Sequence, residues 1–217
     1  MEKEQIPHLA AEVLSDLLQS PGKILYSSHE TLKSGDIYFL GFNPGGREGP
    51  ELEKSIKNML TTTHNSYLDE SWDNGNGSWR PGNAPLQKRV VWLFESLSLN
   101  PKEVCASNLI FLQSRKADDI SFTLAKKCWP VHEAIIDIVK PKIIITFGNS
   151  QTSPYGYLLS LLGGKEESAP SGHGTWKIKG FASNINNHPI YIAGLPHLSR
   201  YSPIGKTEVI DWLKERF

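Results

Sequence analysis

Cysteine and methionine are both scarce in this 217-residue sequence, with two residues of each. Cys105 and Cys128 are too few for a disulfide framework or for the four thiolates of an iron–sulfur cluster. Both lie in apolar stretches, so we expect two plain buried thiols. The sequence also lacks any cluster of His, Cys, Asp and Glu at metal-ligand spacing. We therefore expect neither a metal ion nor another cofactor.

Long apolar runs and an excess of charge are also missing. No run approaches the ~20 apolar residues that cross a bilayer. The acidic, amphipathic first residues have no apolar signal-peptide core. We therefore expect a cytoplasmic protein with no membrane partner. The 23 basic residues balance the 23 acidic ones, which argues against a strongly basic nucleic-acid coat but allows a local basic face.

Two nucleotide-binding fingerprints are absent as well. There is neither a Gly-x-Gly-x-x-Gly turn nor a Walker lysine motif, so a dinucleotide or P-loop enzyme is disfavoured. Basic residues near polar loops are candidate phosphate contacts, although solvated surface charge explains any one of them equally well. They are Arg80, Lys88, Arg89, Arg115, Lys116, Arg200 and Lys206.

Buried strands alternate with amphipathic helices along the whole chain. Apolar runs predict strands at 36–42, 103–112, 140–150, 175–181 and from 188 onwards. Helical spacing predicts helices at 5–19, 51–60, 85–98, 119–139, 154–162 and 203–216. This alternation predicts one domain, residues 1–217, with a three-layer α/β/α fold around a central, mostly parallel sheet. The polar segment 61–83 is predicted to be a long insertion loop.

Polar side chains follow several of the predicted strands. Asn43 and His197 come directly after two of them, and Asn108 lies within a third. Asn149 also follows a strand, but capping the next helix is the preferred interpretation. Ligands bind beyond the carboxyl ends of parallel strands, so this edge of the sheet is the predicted site.

Three short motifs resemble those of the uracil-DNA glycosylase superfamily. The segment GFNPGG at 41–46 resembles its motif A in the Gly-x-Asn-Pro-Gly form of the single-strand-selective and mismatch-specific branches. The segment SNLIFL at 107–112 is similar to the strand that carries the base-reading Asn. The segment PHLSRY at 196–201 is similar to motif B, although Leu198 stands where the family has Pro.

The resemblance implies a division of roles. Asn43 would hold the attacking water beneath the sugar carbon, and Asn108 would read the edge of an extruded base. His197 would stabilise the negative charge that leaves with the base. Leu198 and Arg200 would enter the minor groove. Further DNA contacts are expected from Ser199, Arg115 and Lys206.

The two glycines after the motif proline bear on the substrate. Another branch of the family has an aromatic residue at the position of Gly45, where it walls off C5 of the pyrimidine. Gly45 and Gly46 would leave this wall open, so 5-modified pyrimidines are expected substrates beside uracil. An aromatic ring would stack on the base. Phe42 is one candidate, and Tyr67, Trp72 and Trp79 are others, unless the last three simply anchor their loop to the core.

Three functions remain open at this point. The first is a slow, selective, monofunctional DNA glycosylase that leaves an abasic site in single- or double-stranded DNA. The second uses the same chemistry on hydroxymethylated or glucosylated cytosine, as antiviral defence against phage DNA. The third is a catalytically inactive DNA-binding relic of the fold. A monomer is expected in each case.

Overall fold

The computed structural model describes residues 1–46 and 49–216, and it has a mixed six-stranded sheet flanked by helices. The strands are β1 (Ile37–Gly41), β2 (Cys105–Asn108), β3 (Ile143–Phe147), β4 (Glu167–Pro170), β5 (Lys177–Ile185) and β6 (His188–Leu195). The α-helices are α1 (Ile6–Val13), α2 (Leu52–Lys57), α3 (Pro85–Ser96), α4 (Leu124–Val139), α5 (Pro154–Leu162) and α6 (Thr207–Lys214).

The sheet has the strand order β2-β1-β3-β6-β5-β4. The first four strands in this order run parallel, whereas β5 pairs antiparallel with both β6 and β4. The predicted α/β class and parallel centre are thus confirmed. The antiparallel edge contains β4, a strand that the sequence pattern did not predict.

Alternating side chains of the strands pack on two separate cores. Tyr38, Leu40 and Ile144 face one core, which also holds apolar residues of α1, α2, α4 and α5. Phe39 and Ile145 face the other core, with apolar residues of α3 and α6. Because side chains point alternately to the two faces of a strand, this division covers both sides of the sheet. The arrangement is compatible with a three-layer α/β/α fold.

The long segment 61–83 lies against the second core. Tyr67 is 2% exposed, and its ring contacts those of Phe39 and Trp72, with centroids 5.8 and 6.0 Å away. The Gln87 amide of α3 donates hydrogen bonds of 2.8 Å to the carbonyls of Ser66 and Glu70. The first half of the insertion is therefore tied to the body of the protein.

Two expectations about burial and membranes have clear outcomes. Cys105 and Cys128 are free, buried thiols, as predicted. Burial raises the pKa of Cys105 to about 12 and that of Cys128 to about 11, so both stay protonated at neutral pH. Within the part of the chain described, no helix has the length and apolar character needed to traverse a bilayer.

A buried histidine fixes the end of β2. His132 of α4 is 0% exposed, and its Nε2 donates to the carbonyl oxygen of Leu109 at 3.1 Å. A carbonyl can only accept, so Nδ1 is the unprotonated nitrogen and accepts from the Tyr38 hydroxyl at 2.8 Å. Because Leu109 follows Asn108 directly, His132 holds the strand end that carries a predicted site residue.

This histidine gives a pH-dependent contribution to stability. Burial lowers the pKa of His132 from 6.5 to about 4, so the unfolded chain takes up the proton at a higher pH than the folded protein. The contribution is complete above pH 6.5 and is lost as the pH falls. By linkage, the loss between pH 7 and pH 5 is about 2 kcal/mol.

We therefore predict that His132→Gln removes about 2 kcal/mol of the fall in unfolding free energy between pH 7 and pH 5. Urea denaturation at several pH values measures this slope, which is diagnostic even if the variant is less stable throughout. The same substitution at the exposed His8 is the control. A wild-type slope in His132→Gln would contradict the prediction.

Candidate functional site

Gly41, the last residue of β1, has no side chain, and neighbouring side chains occupy the space that one would take. Gly41 pairs with Asn108 across β1 and β2. A Cβ on Gly41 would lie 2.6 Å from Cζ of Phe147 and even closer to Oδ1 of Asn108. These two side chains, from the carboxyl ends of β2 and β3, therefore fill the space above Gly41. They meet as expected for polar and aromatic groups at the edge of a parallel sheet.

Asn108 has a buried donor with no partner. The residue is 3% exposed, and its Nδ2 has no hydrogen-bond partner among the described residues. Tyr26 lies alongside, since its backbone N–H donates to the Ala106 carbonyl at 2.8 Å. Burial and then the charge of Glu70 raise the pKa of the Tyr26 hydroxyl, whereas a hydrogen-bonding interaction with the Asn108 side chain lowers it. A buried donor without a well-placed acceptor costs about 1–3 kcal/mol, which an acceptor on a bound molecule would recover.

His197 reaches the same place from the loop after β6. Its ring meets that of Phe147 edge-on, with centroids 5.4 Å apart. A Cβ on Gly148, the residue after β3, would lie 3.6 Å from Cδ2 of His197. The backbone N–H of Gly148 donates to the carbonyl of Leu195 at 2.9 Å, which joins the ends of β3 and β6. Phe147 therefore stands between Asn108 and His197.

The protonation of His197 follows from its neighbours. The backbone N–H of Ser199 donates to Nδ1 of His197 at 3.2 Å. A backbone N–H cannot accept, so Nδ1 carries the lone pair and Nε2 carries the proton. Burial, and then the charge of Arg200, lower the pKa of His197 below 6.5. The imidazole is thus neutral at pH 7 and offers Nε2–H as a donor.

Hydrogen bonds also fix the orientation of the Asn43 side-chain amide. Its Nδ2 donates to the carbonyls of Pro44 and Leu112, at 3.0 and 3.1 Å, and to the Ser114 hydroxyl at 2.8 Å. Ser114 in turn donates to the carbonyl of Lys116 at 2.7 Å. Three acceptors thus surround the amide nitrogen, and Oδ1 is the accepting end of Asn43, with no hydrogen bond to it from residues 1–46 or 49–216. Such an oxygen can orient a water molecule.

The predicted site residues therefore gather at one edge of the sheet. Asn108 and His197 flank Phe147, and Asn43 follows Gly41 by two residues. The chain after β1 continues beside the chain after β2, where Phe42 O accepts from Ile110 N at 2.9 Å. The sequence analysis did not identify Phe147 or Ser114 as site residues, although Phe147 lies in the predicted strand 140–150 and Ser114 follows the predicted strand 103–112 by two residues.

The two glycines after Pro44 differ from each other. A Cβ on Gly45 would have nothing within 4 Å, so the space beside this residue is open. A Cβ on Gly46 would lie 2.7 Å from Nε2 of Gln113, which also donates to the Gly45 carbonyl at 3.0 Å. The interpretation that both glycines leave room for a base is therefore wrong for Gly46. Its backbone has a φ of +118°, which itself favours glycine.

Phe42 does not stack over Asn108. Its ring lies parallel to that of Phe122, with centroids 6.2 Å apart and an interplanar angle of 18°. Phe42 packs on the core of α1 and α4, whereas Phe147 belongs to the core on the other face. The expectation that Phe42 contacts a base beside Asn108 is wrong, because successive side chains of an extended segment point to opposite faces. Phe147 is the ring at the site.

The loop after β6 departs from expectation at one position. Leu198 is 0% exposed and lies in the second core, so the prediction that it projects into the minor groove is wrong. Burial of a Leu side chain stabilises the folded state by roughly 1.5–3 kcal/mol. Its neighbours Ser199 and Arg200 are exposed. The guanidinium of Arg89 in α3 donates to the carbonyls of Leu198 and Ser199, at 2.6 and 3.0 Å, and anchors the loop.

The remaining residues predicted to contact DNA differ in their exposure to solvent. Arg115 is exposed in the chain after β2. Lys206 is half-buried, and its Nζ donates to the Ser202 carbonyl at 2.9 Å and lies 4.9 Å from the Tyr201 ring centroid. The backbone N–H of Ser199 donates to Nδ1 of His197, and the Ser199 hydroxyl lies 2.7 Å from the same nitrogen.

A cavity of about 460 Å³ lies next to this site but does not include its polar residues. Its lining includes Phe122, Asn149 and Tyr157. Asn149 is held by its own amide, which donates to the carbonyls of Lys177 and Gly194 at 2.8 and 3.1 Å, so it does not cap α5. Ser153 caps that helix instead. Over residues 1–46 and 49–216, no group of three or more His, Cys, Asp or Glu could hold a metal ion.

Comparison with protein-family models gave no match, and comparison with curated proteins gave none either.

The space above Gly41 gives a stability prediction. We expect Gly41→Ala to lower the unfolding free energy by about 1–3 kcal/mol, because the new methyl group would displace Asn108 and Phe147. Gly45→Ala is the matched control and should stay within about 0.5 kcal/mol of the wild type, since nothing lies near its Cβ. Urea denaturation measures both. Equal stabilities of the two variants would contradict the packing described here.

Proposed function

We propose that this protein is a monofunctional DNA glycosylase that extrudes a pyrimidine nucleotide and hydrolyses its N-glycosidic bond. The attacking group is a water held by Asn43, and the products are the free base and an abasic site. The substrate is uracil or a 5-modified pyrimidine in DNA. We further propose that the protein acts as a monomer in the cytoplasm. It rests on the three motifs that resemble the uracil-DNA glycosylase superfamily and on the chemistry of their side chains.

The structural observation that supports the proposal most directly is the buried Nδ2 of Asn108, which has no well-placed hydrogen-bond acceptor among the described residues and lies near the ring of Phe147. An amide presents a donor and an acceptor side by side, which matches the Watson–Crick edge of a pyrimidine. A half-turn of the amide exchanges donor and acceptor, so Asn108 fits the edge of uracil or of cytosine. The choice between these bases lies elsewhere in the pocket.

His197 supplies what the departing base requires. Cleavage of the N-glycosidic bond moves the bonding electron pair onto the base, while the sugar carbon becomes positive. A neutral imidazole whose Nε2–H is fixed by Ser199 can donate to the base oxygen as its negative charge grows. The lowered pKa of His197 keeps it neutral at pH 7, so it acts as a donor rather than as an acid.

Asn43 supplies the position of the nucleophile. With Nδ2 committed to three acceptors, Oδ1 accepts a hydrogen bond from water and holds the water oxygen towards the sugar. An amide cannot take up the proton of this water, so the proton passes to the departing base anion, directly or through solvent, and the base leaves as the neutral molecule. We therefore expect a slow enzyme whose rate depends on the stability of the departing base.

The direct test is cleavage of abasic sites after incubation with oligonucleotides that carry uracil, 5-hydroxymethyluracil, or hydroxymethylated or glucosylated cytosine. We predict abasic sites with at least one of these, and a loss of about 10²–10³ in single-turnover rate for His197→Ala. His188→Ala is the matched control, because His188 begins β6 at the end of the strand opposite to the His197 loop. Absence of abasic sites with every substrate would support an inactive DNA-binding relic instead.

The open space at Gly45 favours a second candidate with the same chemistry. Here the enzyme excises bulky modified cytosines from phage DNA as antiviral defence. The base would carry its 5-substituent into the space that an aromatic residue occupies in another branch of the superfamily.

Gly45→Tyr tests whether C5 of the bound pyrimidine lies beside Gly45. We predict that this variant keeps uracil excision and loses excision of 5-modified pyrimidines, because a ring at this position would block C5. Gly45→Ala, with a single methyl group in open space, should keep both activities. Measured rates on paired substrates decide, and equal loss on uracil and on modified bases would contradict the assigned position of C5.

A further inference from the structure

The turn between β4 and β5 lies at the same edge of the sheet as the candidate site. β5 runs antiparallel to β6, so it begins where β6 ends. The amide of Asn149, after β3, donates to the carbonyls of Lys177 and Gly194, in β5 and β6 respectively. Residues 171–176, named here the β4–β5 turn, therefore project beside the loop that carries His197.

The β4–β5 turn is firmly built. The Ser171 N–H donates to the Trp176 carbonyl at 3.0 Å, and the Trp176 N–H donates to the His173 carbonyl at 3.0 Å. The Tyr201 hydroxyl donates to the Ser171 carbonyl at 2.7 Å and ties the turn to the loop after β6. Gly172 has a φ of +67°, as a tight reversal requires. A side chain on this turn is thus presented with little conformational freedom.

Trp176 is the large apolar side chain that this turn presents to solvent. It is 41% exposed, and the His173 ring supports it edge-on with centroids 4.9 Å apart. A tryptophan offers a large contact area with two rotatable side-chain bonds, so a ring held on a firmly built turn loses little entropy when it binds. Trp176 thus differs in exposure from Leu198, whose side chain is completely buried in the core.

Cationic residues lie on the β4–β5 turn's flank and on the loop that the turn contacts. Lys177 and Arg200 are exposed at the same edge, and Lys206 packs against the turn, since its Cδ lies 3.1 Å from where a Cβ of Gly172 would be. One acidic side chain, Glu208, also lies against Gly172. Three cationic residues and one carboxylate at the edge that presents an exposed indole fit a polyanion with flat aromatic faces. Such a ligand is a nucleic-acid strand.

We propose that the β4–β5 turn is a nucleic-acid contact in which Trp176 stacks on a base next to the one bound at Asn108. This inference deepens the proposed function and rests on it, because it uses the same sheet edge and the same strand of DNA. Trp176 thereby takes the place in the DNA that the buried Leu198 cannot take. The basic side chains beside it hold the phosphates.

The test measures binding rather than catalysis. Fluorescence anisotropy gives the Kd of wild type and variants for a labelled single-stranded oligonucleotide and for a duplex with one unpaired base. Trp176→Ala should raise Kd by about 5- to 150-fold, the range expected for loss of one stacked base. Trp176→Phe keeps an aromatic face and should recover most of this loss. Leu161→Ala is the control, because Leu161 is an equally exposed apolar residue, at 47%, near the distal end of α5.

Each outcome decides the inference. Wild-type affinity in Trp176→Ala, with intact binding and base release by the wild type, would overturn this inference alone and point to a protein partner for the turn. An equal loss in Trp176→Ala and Trp176→Phe would overturn stacking. A wild type that binds neither oligonucleotide would overturn the proposed function together with this inference. Binding that depends on Trp176 without any base release would uphold the contact and contradict the glycosylase activity.

Discussion

The absence of a side chain at Gly41 is the constraint on which the candidate site depends. Strands β1, β2 and β3 lie side by side, and the side chains at their carboxyl ends compete for one volume. Any Cβ at Gly41 would collide with the Asn108 amide and the Phe147 ring. Because Gly41 has no side chain, the Asn108 amide and the Phe147 ring share this volume, and the His197 ring meets that of Phe147 edge-on. The close approach of Asn108 and Phe147 therefore depends on glycine at position 41.

Two of the polar side chains at this edge are oriented by backbone groups that can only donate or only accept a hydrogen bond. Backbone carbonyls can only accept, so they hold the amino group of Asn43 and turn its oxygen outwards. A backbone N–H can only donate, so it leaves the proton of His197 on Nε2. Asn108 differs, because its amino group is buried without an acceptor. Such fixed dipoles need no reorganisation when charge develops on a bound group, which is the physical basis of electrostatic catalysis.

Much of this arrangement could be read from the sequence, and the failures have physical reasons. Apolar runs located the parallel strands, and α5 was predicted with its observed bounds. Asn43, Asn108 and His197 came out at one edge because parallel strands end together. Periodicity alone could not show that Leu198 is buried, since a loop has no repeating pattern, or that Gln113 fills the space at Gly46. The face chosen by Phe42 depends on register, which one residue reverses.

The most direct test of the central claim is a crystal structure of the Asn43→Ala variant with an oligonucleotide that carries an excisable base. The proposed function predicts that the base edge lies within hydrogen-bond distance, about 3 Å, of the Asn108 amide. Nε2 of His197 should face the base oxygen, and Trp176 should contact the neighbouring nucleotide. A base bound in the 460 Å³ cavity beside Phe122 and Tyr157, or a strand that crosses another face of the sheet, would contradict it.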